Sequence, residues 1–403
     1  MKNQVLEGVK IADFCWAIAG PMTTKYLADY GATVVKIEST TRPDPQRTVA
    51  PFKDNIPGLN RTGGYSLYNR GKYSITINLG HPRGIEVAKR LVAWADVAIE
   101  NFAPGMMARW GLDYSELRKI KPDIIMVSSS NLGQTGPHSK QAGLGFHLVA
   151  LTGFSHLGGW PDSEPVGPYG AYTDLTAPAL TAAAIIAALD YRRRTGKGQY
   201  LDLSQLEAGL HFLAPALLDY TANKREQSRV GNRCDYAVPH GAYRCKGEDR
   251  WCVIAVFTDE EWESFCKVIG SPQWAKESRF STFLNRKRNE DELDRLVDKW
   301  TSNYTAEEVM SMMQEAGVAA GIVQNGEDLF IDPQLKHRHH FWELEHPEIG
   351  AHKVSGISSK LSKTPGRLGK PALIGEHNDY VCTQLLGMSD EEFAMLVADG
   401  VLA

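Results

Sequence analysis

Along the first two hundred residues, short apolar runs alternate with segments of helical period. "VKIADFCW" reads as a buried strand, "GPMTTKYLADYG" as a helix and "ATVVKIES" as the next strand. The alternation resumes with "PRGIEVAKRLVAWA" (helix), "DVAIEN" (strand), "SELRKIK" (helix) and "DIIMVSSS" (strand). Behind Asp174, "LTAPALTAAAIIAAL" predicts a further helix, followed by the strand "QYLDLS" and one helix over "QLEAGLHFLAPALLDYTA". Nearly continuous apolar strands separated by helices predict an α/β fold: a doubly wound parallel sheet, buried on both faces, within residues 1–221.

The texture then changes. Residues 222–238 are polar with little period and predict a linker. Within 239–330, "GAYRC" and "RWCVIAVF" read as paired strands, and "DEEWESFCKVIG" and "TAEEVMSMMQEAG" as amphipathic helices, which together predict a smaller α+β domain. Residues 331–372 are rich in Gly, Pro and Lys and predict a second extended linker, and 373–403 read as closing helices.

Composition narrows the function classes. The 403 residues are 43% hydrophobic and 23% charged with a net charge of −4, so no global basic field argues for nucleic acid or an anionic membrane. The start, "MKNQVLEGVKIADF", lacks the basic and apolar regions of a secretory leader. The apolar run behind Asp174 is interrupted by Thr and Pro and suits a core helix better than a membrane span of about 20 residues. Six scattered cysteines without a CxxC pair fit reduced thiols in a cytoplasmic protein, and no zinc site is expected.

Several patterns have a chemical and a structural reading. "CWAIAGPMTT" follows the first strand and Glu38 falls where a ribose-binding acid would stand, yet GxGxxG is absent, so no nicotinamide cofactor is expected. The histidines of "KHRHHFWELEH" sit in a polar linker and read as a solvated face rather than metal ligands. Arg42, Arg47, Arg70, Lys72, Arg109, Lys140 and Arg192–Arg194 read as surface decoration unless they converge on the carboxyl ends of the strands, where they would hold phosphates. Asp174 heads a greasy segment. As an N-cap it would accept backbone N–H bonds and place Pro178 in the first turn. Alternatively, an ionised carboxylate in a dry site is a nucleophile toward an activated acyl group. Position favours the cap and does not separate the two.

The chain resembles the class III CoA-transferases, which include formyl-CoA and carnitine CoA-transferases. The likeness rests on "AGPMTTKYLADYGATVVKIE", "NRGKYSITINL", "DVAIENFAPGMMARWGLDYSELRKIKPDIIMVSSS", "GQTGP", "TDLTAPALTAAAIIAAL", "RRRTGKGQYLDLSQLEA", "AGVAAGIV", "DPQL", "EHPEIG" and "TPGRLGKPALIGEH", in order over most of the chain. The resemblance implies a Rossmann-like large domain built from both termini, a smaller domain inserted through the two linkers, and an interlocked dimer. It implies that Asp174 attacks the thioester of a donor acyl-CoA, and that a mixed anhydride and an aspartyl-CoA thioester follow. Acyl-CoA and a carboxylic acid are the implied substrates, with no tightly bound cofactor.

By the same resemblance Ala19, Gly20, Lys72, Asn101, Phe102 and Arg109 match CoA-binding positions. Arg42 and Arg47 follow "KIE" near the nucleotide end, although "ESTTRP" replaces the family's "ERP" and leaves the match between them open. Trp16, Ile18 and His147 fall at the substrate pocket. Ile18 replaces the Gln of the formyl-transferring branch and, beside Trp16, points to a larger, less polar acyl group than formate; the glycine run that covers the active site in that branch is missing from "NRCDYAVPHGAY". The overall texture is similar to the branch acting on benzylsuccinate with succinyl-CoA. Two rivals share the fold: α-methylacyl-CoA racemases, whose second acid/base is a His where Leu144 stands here, and a homologous partner subunit of a heteromeric transferase, which would often lack the Asp.

Overall fold

The structure, a computed structural model, describes residues 4–403, so the first three residues of the start read above for a leader lie outside it. Contacts group the chain into two units. The first comprises residues up to His156, Gly167–Gln227 and His337–Ala403; the second comprises Leu157–Val166 and Ser228–Lys336. The sequence texture places 157–166 with the large domain. Instead this loop packs on the second unit's own chain, with the Trp160 ring so close to Gly231 that a Cβ there would fall 2.2 Å from it.

The first unit is built on β1 (Lys10–Asp13), β2 (Thr33–Glu38), β3 (Tyr73–Thr76), β4 (Val97–Glu100), β5 (Ile125–Ser130) and β6 (Tyr200–Ser204). They form one parallel sheet in the order β3-β2-β1-β4-β5-β6. The connecting helices are α1 (Ala19–Asp29), α2 (Gly63–Asn69), α3 (Pro82–Trp94), α4 (Met106–Arg109), α5 (Tyr114–Ile120), α6 (Gly145–Leu151), α7 (Phe154–Leu157), α8 (Tyr172–Thr195), α9 (Gln205–Leu210) and α10 (Ala214–Asn223). Because strand order reverses between β1 and β4, a crevice opens there at the carboxyl ends of the strands.

Period-two alternation explains burial on both faces. Ile11, Val34, Val97, Ile99, Ile125 and Val127 pack with Ala182, Ile185 and Ala188 of α8. Their neighbours Ala12, Val35, Ile37, Ala98 and Met126 pack on the other face with Val87 and Leu91 of α3 and Leu117 of α5. Each fully buried Val, Leu or Ile contributes about 1.5–3 kcal/mol.

The interior beneath α1 and α2 is ionic instead. Arg47 holds Glu38 with two hydrogen bonds of 2.8 Å, and Tyr65 and Ser74 each donate to the same carboxylate at 2.7 Å. Lys36 pairs with Asp44 at 2.9 Å, and Lys72 with Asp13 at 3.0 Å. Burial pushes Glu38 up, but the Arg47 guanidinium and its fellow donors outweigh it and leave the carboxyl below its ordinary value. This polar side hides β3 from a hydrophobicity reading, since Ser74 and Thr76 face inward to polar partners.

Other differences have local causes. The single helix predicted after β6 is broken into α9, a 3-10 turn and α10, where Pro215 in the first turn has no N–H to continue the ladder. The second predicted linker contains an antiparallel hairpin, Phe341–Leu344 with His352–Ser355. His346, in its turn, accepts the N–H groups of Glu348 and Ile349 at 3.1 Å each, which is a structural use of one of the clustered histidines. At 24 residues α8 is long and apolar enough to cross a membrane by length and composition. Length therefore does not separate the two readings, but topology does: α8 joins the parallel neighbours β5 and β6 and packs along the sheet face.

In the second unit β7 (His240–Arg244), β8 (Trp251–Ala255) and β9 (Ala319–Ile322) form an antiparallel sheet. Helices α11 (Asp259–Val268), α12 (Phe283–Arg288), α13 (Glu290–Thr301) and α14 (Ala306–Glu315) accompany it, with Phe265, Leu293, Val297 and Val309 fully buried in the shared core. Capping boxes at Thr258/Glu261 and Thr305/Glu308 start α11 and α14.

The ion pairs of the first unit give a stability test. Arg47→Met leaves Glu38 buried and unpaired, and unfolding in urea should show a loss of about 3–5 kcal/mol. Adding Glu38→Gln should restore part of it, because the stranded charge is then removed.

Candidate active site

The turn after β1 is built by three backbone constraints. Asn101, just past β4, accepts the Trp16 N–H at 2.8 Å and donates to the Trp16 carbonyl at 2.9 Å. Asp44 accepts the Ala17 N–H at 3.0 Å, and Ala17 adopts φ +62°, so the chain reverses sharply into α1. Gly20 lets α1 approach β1: a Cβ there would stand 2.4 Å from the Cys15 sulfur.

This turn walls a cavity of about 530 Å³ at the carboxyl ends of β1, β2, β3 and β4. Phe14, Trp16, Ile37, Phe102 and Trp110 give it an aromatic and apolar lining, and Ser39, Thr41, Asn78 and Gly80 bring polar edges. Phe102 meets Trp16 and Trp110 edge to face, at 5.5 and 5.4 Å between ring centres. The Arg42 guanidinium lies 5.5 Å from the Trp16 ring. An aromatic slot with a cation at its rim suits a flat, anionic ligand such as a nucleotide.

Asp174 lies on the same edge, in the first turn of α8, which packs alongside α1. It is the third residue of the helix and Ala171 is the N-cap, so the capping role expected from position is not the one it fills. Pro178 is accordingly inside the helix, and its missing N–H leaves the Asp174 carbonyl without a helical donor. The carboxylate has no hydrogen bond or ion pair among the described residues. Burial alone pushes it up to about 6. Gly145 of α6 presses on it, since a Cβ there would fall 2.8 Å from Oδ2. The nearby carboxylate raises the Tyr68 phenol, after the larger effect of burial. At neutral pH this is a predominantly ionised, half-buried carboxylate without a partner among the described residues.

The other expected residues divide. Trp16, Arg42 and Phe102 line the cavity, with Asn101 behind them as the clamp on Trp16. Arg109, exposed at the end of α4 next to Trp110, is a cation with no acidic partner among the described residues. Ile18 is half-buried at the start of α1, while Ala19 and Gly20 are buried. Arg47 and Lys72 are buried, paired with Glu38 and Asp13, and brace the fold from within. His147 lies on α6, two residues after the Gly145 that abuts Asp174. Its ring is exposed, and Nδ1 accepts the Leu144 N–H at 3.1 Å to cap α6.

Sequence reasoning missed Trp110, Met106, Asn78 and Gly80 as lining, and Tyr68 as the neighbour of Asp174. Trp110 lay inside a quoted segment. Tyr68 carried no signal, because α2 itself was not foreseen.

These observations meet three comparisons. The model of CoA-transferase family III matches residues 6–378. The succinyl-CoA–D-citramalate CoA-transferase of Chloroflexus aurantiacus is 33% identical over 399 residues, covering 98% of each chain. The succinyl-CoA:glutarate CoA-transferase of Homo sapiens is 31% identical over 399 residues, covering 98% of this chain and 90% of its own. Among solved structures, a CAIB/BAIF family protein from Brucella suis matches with a TM-score of 0.87 at 30% identity, over 95% of this chain and 100% of that one. The chain belongs to CoA-transferase family III and is an enzyme that transfers coenzyme A.

Proposed function

We propose that Asp174 is the nucleophile, that the nucleotide end of CoA occupies the aromatic cavity, and that the donor is succinyl-CoA with a second carboxylic acid as acceptor. The observation that carries this reading is the unpartnered carboxylate, raised by burial on the edge that also bears the cavity. Asp174 attacks the donor thioester carbonyl and expels CoA thiolate, leaving a mixed anhydride. The thiolate attacks the aspartyl carbonyl and releases the donor acid as its carboxylate, giving an aspartyl-CoA thioester. The acceptor carboxylate attacks that thioester and again expels CoA thiolate. The thiolate then takes the acceptor acyl group, which frees Asp174. Desolvation strengthens the nucleophile and spares the anhydride from water.

Of the four cations expected at the CoA site, Arg42 and Arg109 have no ion pair among the described residues and are the candidates to meet CoA phosphates. The relatives named above act with succinyl-CoA on citramalate or glutarate, which supports the choice of donor. A second copy of the chain is the proposed partner, because Leu175, Leu180 and Ile186 of α8 and Leu217 and Leu218 of α10 stand exposed on helices that otherwise build a core. The racemase alternative gains no support, since the exposed apolar Leu144 occupies the position of the second acid/base.

Incubation with succinyl-CoA followed by hydroxylamine should convert Asp174 to its hydroxamate, read by peptide mass spectrometry. Modification confined to another residue would overturn the assignment. Asp174→Asn should cut transferase turnover by roughly a thousandfold or more. Because the carboxylate must be ionised to attack, turnover should fall as pH drops through about 6. The sign for stability is opposite. A carboxyl raised on folding destabilises the fold once ionised, so Asp174→Asn should raise stability at pH 8 by up to about 3 kcal/mol and change it little at pH 4.

A further inference from the structure

A second carboxylate lies behind the cavity wall. Glu100 ends β4, and in the parallel registers it stands directly across from Ser128 of β5, which stands across from Asp202 of β6. Side chains paired in this way share one face of the sheet. Glu100 is almost fully buried at 3% exposure. Its Oε2 accepts the Phe102 N–H at 2.7 Å, and the Ser128 hydroxyl also hydrogen-bonds the carboxylate. The two residues that follow Glu100 are the two that shape the cavity: Asn101 clamps the Trp16 backbone, and Phe102 packs between Trp16 and Trp110.

We propose that Glu100 is the positioning residue of this wall: by accepting the Phe102 N–H it fixes the Asn101–Phe102 turn, so its charge state sets how well the cavity is formed for acyl-CoA. The inference rests on the reading of the cavity as the CoA seat. A charged acceptor holds an N–H about twice as strongly as a neutral one, so protonation loosens the turn without touching substrate.

The surroundings place that change near neutrality. Burial pushes the carboxyl up to about 7, opposed by the Ser128 hydroxyl and the Phe102 N–H and reinforced by Asp202. The titratable groups facing it are Asp202 and Tyr200 of β6, with Tyr114 of α5 stacked on Tyr200. No cation forms an ion pair with it among the described residues. As pH rises through about 7 the carboxylate forms and the turn tightens; as pH falls below it the turn relaxes.

The experiment separates KM from kcat across pH 5.5–8.5 in the full-length protein, with succinyl-CoA as the varied substrate. The KM for succinyl-CoA should rise about fivefold from pH 8 to pH 6, the difference between a charged and a neutral acceptor. Glu100→Gln keeps an acceptor but cannot titrate, so its KM should stay at the low-pH value throughout. Tryptophan emission of the ligand-free protein should show a transition near pH 7 that is absent from Glu100→Gln. Asp202→Asn should move the midpoint down and Ser128→Ala should move it up, which tests the idea even where Glu100→Gln folds poorly. An unchanged emission transition in Glu100→Gln, or midpoints indifferent to Asp202 and Ser128, overturns the proposal. Failure of the cavity reading looks different: Phe102→Ala would then leave KM for succinyl-CoA untouched while the emission transition persisted.

Discussion

The proposed chemistry depends on keeping one half-buried carboxylate, Asp174, without a partner. An ion pair would hold Asp174 charged at low pH but would tie up the lone pairs needed for attack. Exposure to water would keep it ionised while exposing any anhydride to hydrolysis. The fold takes the intermediate course. α8 brings the residue to the carboxyl edge of the sheet, Gly145 of α6 lies against it, and no donor is supplied among the described residues. The cost is a carboxyl raised to about 6, which still leaves it ionised at neutral pH.

The opposite solution operates one helix away. Beneath α1 and α2, Asp13, Lys36, Glu38, Asp44, Arg47 and Lys72 are all buried and matched in sign. Such pairs add little net stability over an apolar core, but they fix geometry because each partner must be placed to satisfy the others. Asp44 shows the consequence: it accepts the Ala17 N–H while pairing with Lys36. The turn that carries Trp16 and Ile18 is therefore held by the same charges that fill the interior. A rigid ionic block and a half-buried, unpaired carboxylate thus divide support from the proposed chemistry within a single sheet.

That division also explains what could be read from the sequence. β1, β2, β4 and β5 were legible because short apolar runs packed on two faces are a local property of the chain, and the edge strand β6 because its apolar and polar residues alternate. β3 and α2 were not, since their inward positions are polar and their partners lie far away in sequence, as with Ser74 and Glu38. Asp174 was visible as an oddity, a lone acid before an apolar run, and the resemblance supplied the role proposed for it. Basic residues were the least legible. Arg42 and Arg47 lie five positions apart in one loop, yet one rims the cavity and the other is buried on Glu38. Nothing in the spacing distinguishes them, because the decision belongs to a carboxylate reached only through the tertiary fold.

Asp174 and Glu100 are two raised carboxyls in one unit, and their environments assign them different work. Asp174 is raised by burial alone and accepts nothing, which leaves its oxygens open to a reacting carbonyl. Glu100 is raised further, to about 7, although two donors engage it, because it lies deeper and a second acid stands two strands away. A carboxylate already engaged by donors is a poor nucleophile and a good anchor. In the reading proposed here the same physical shift accompanies a reacting group where hydrogen bonds are absent and a positioning group where they are present, so the hydrogen-bond partners separate the two roles.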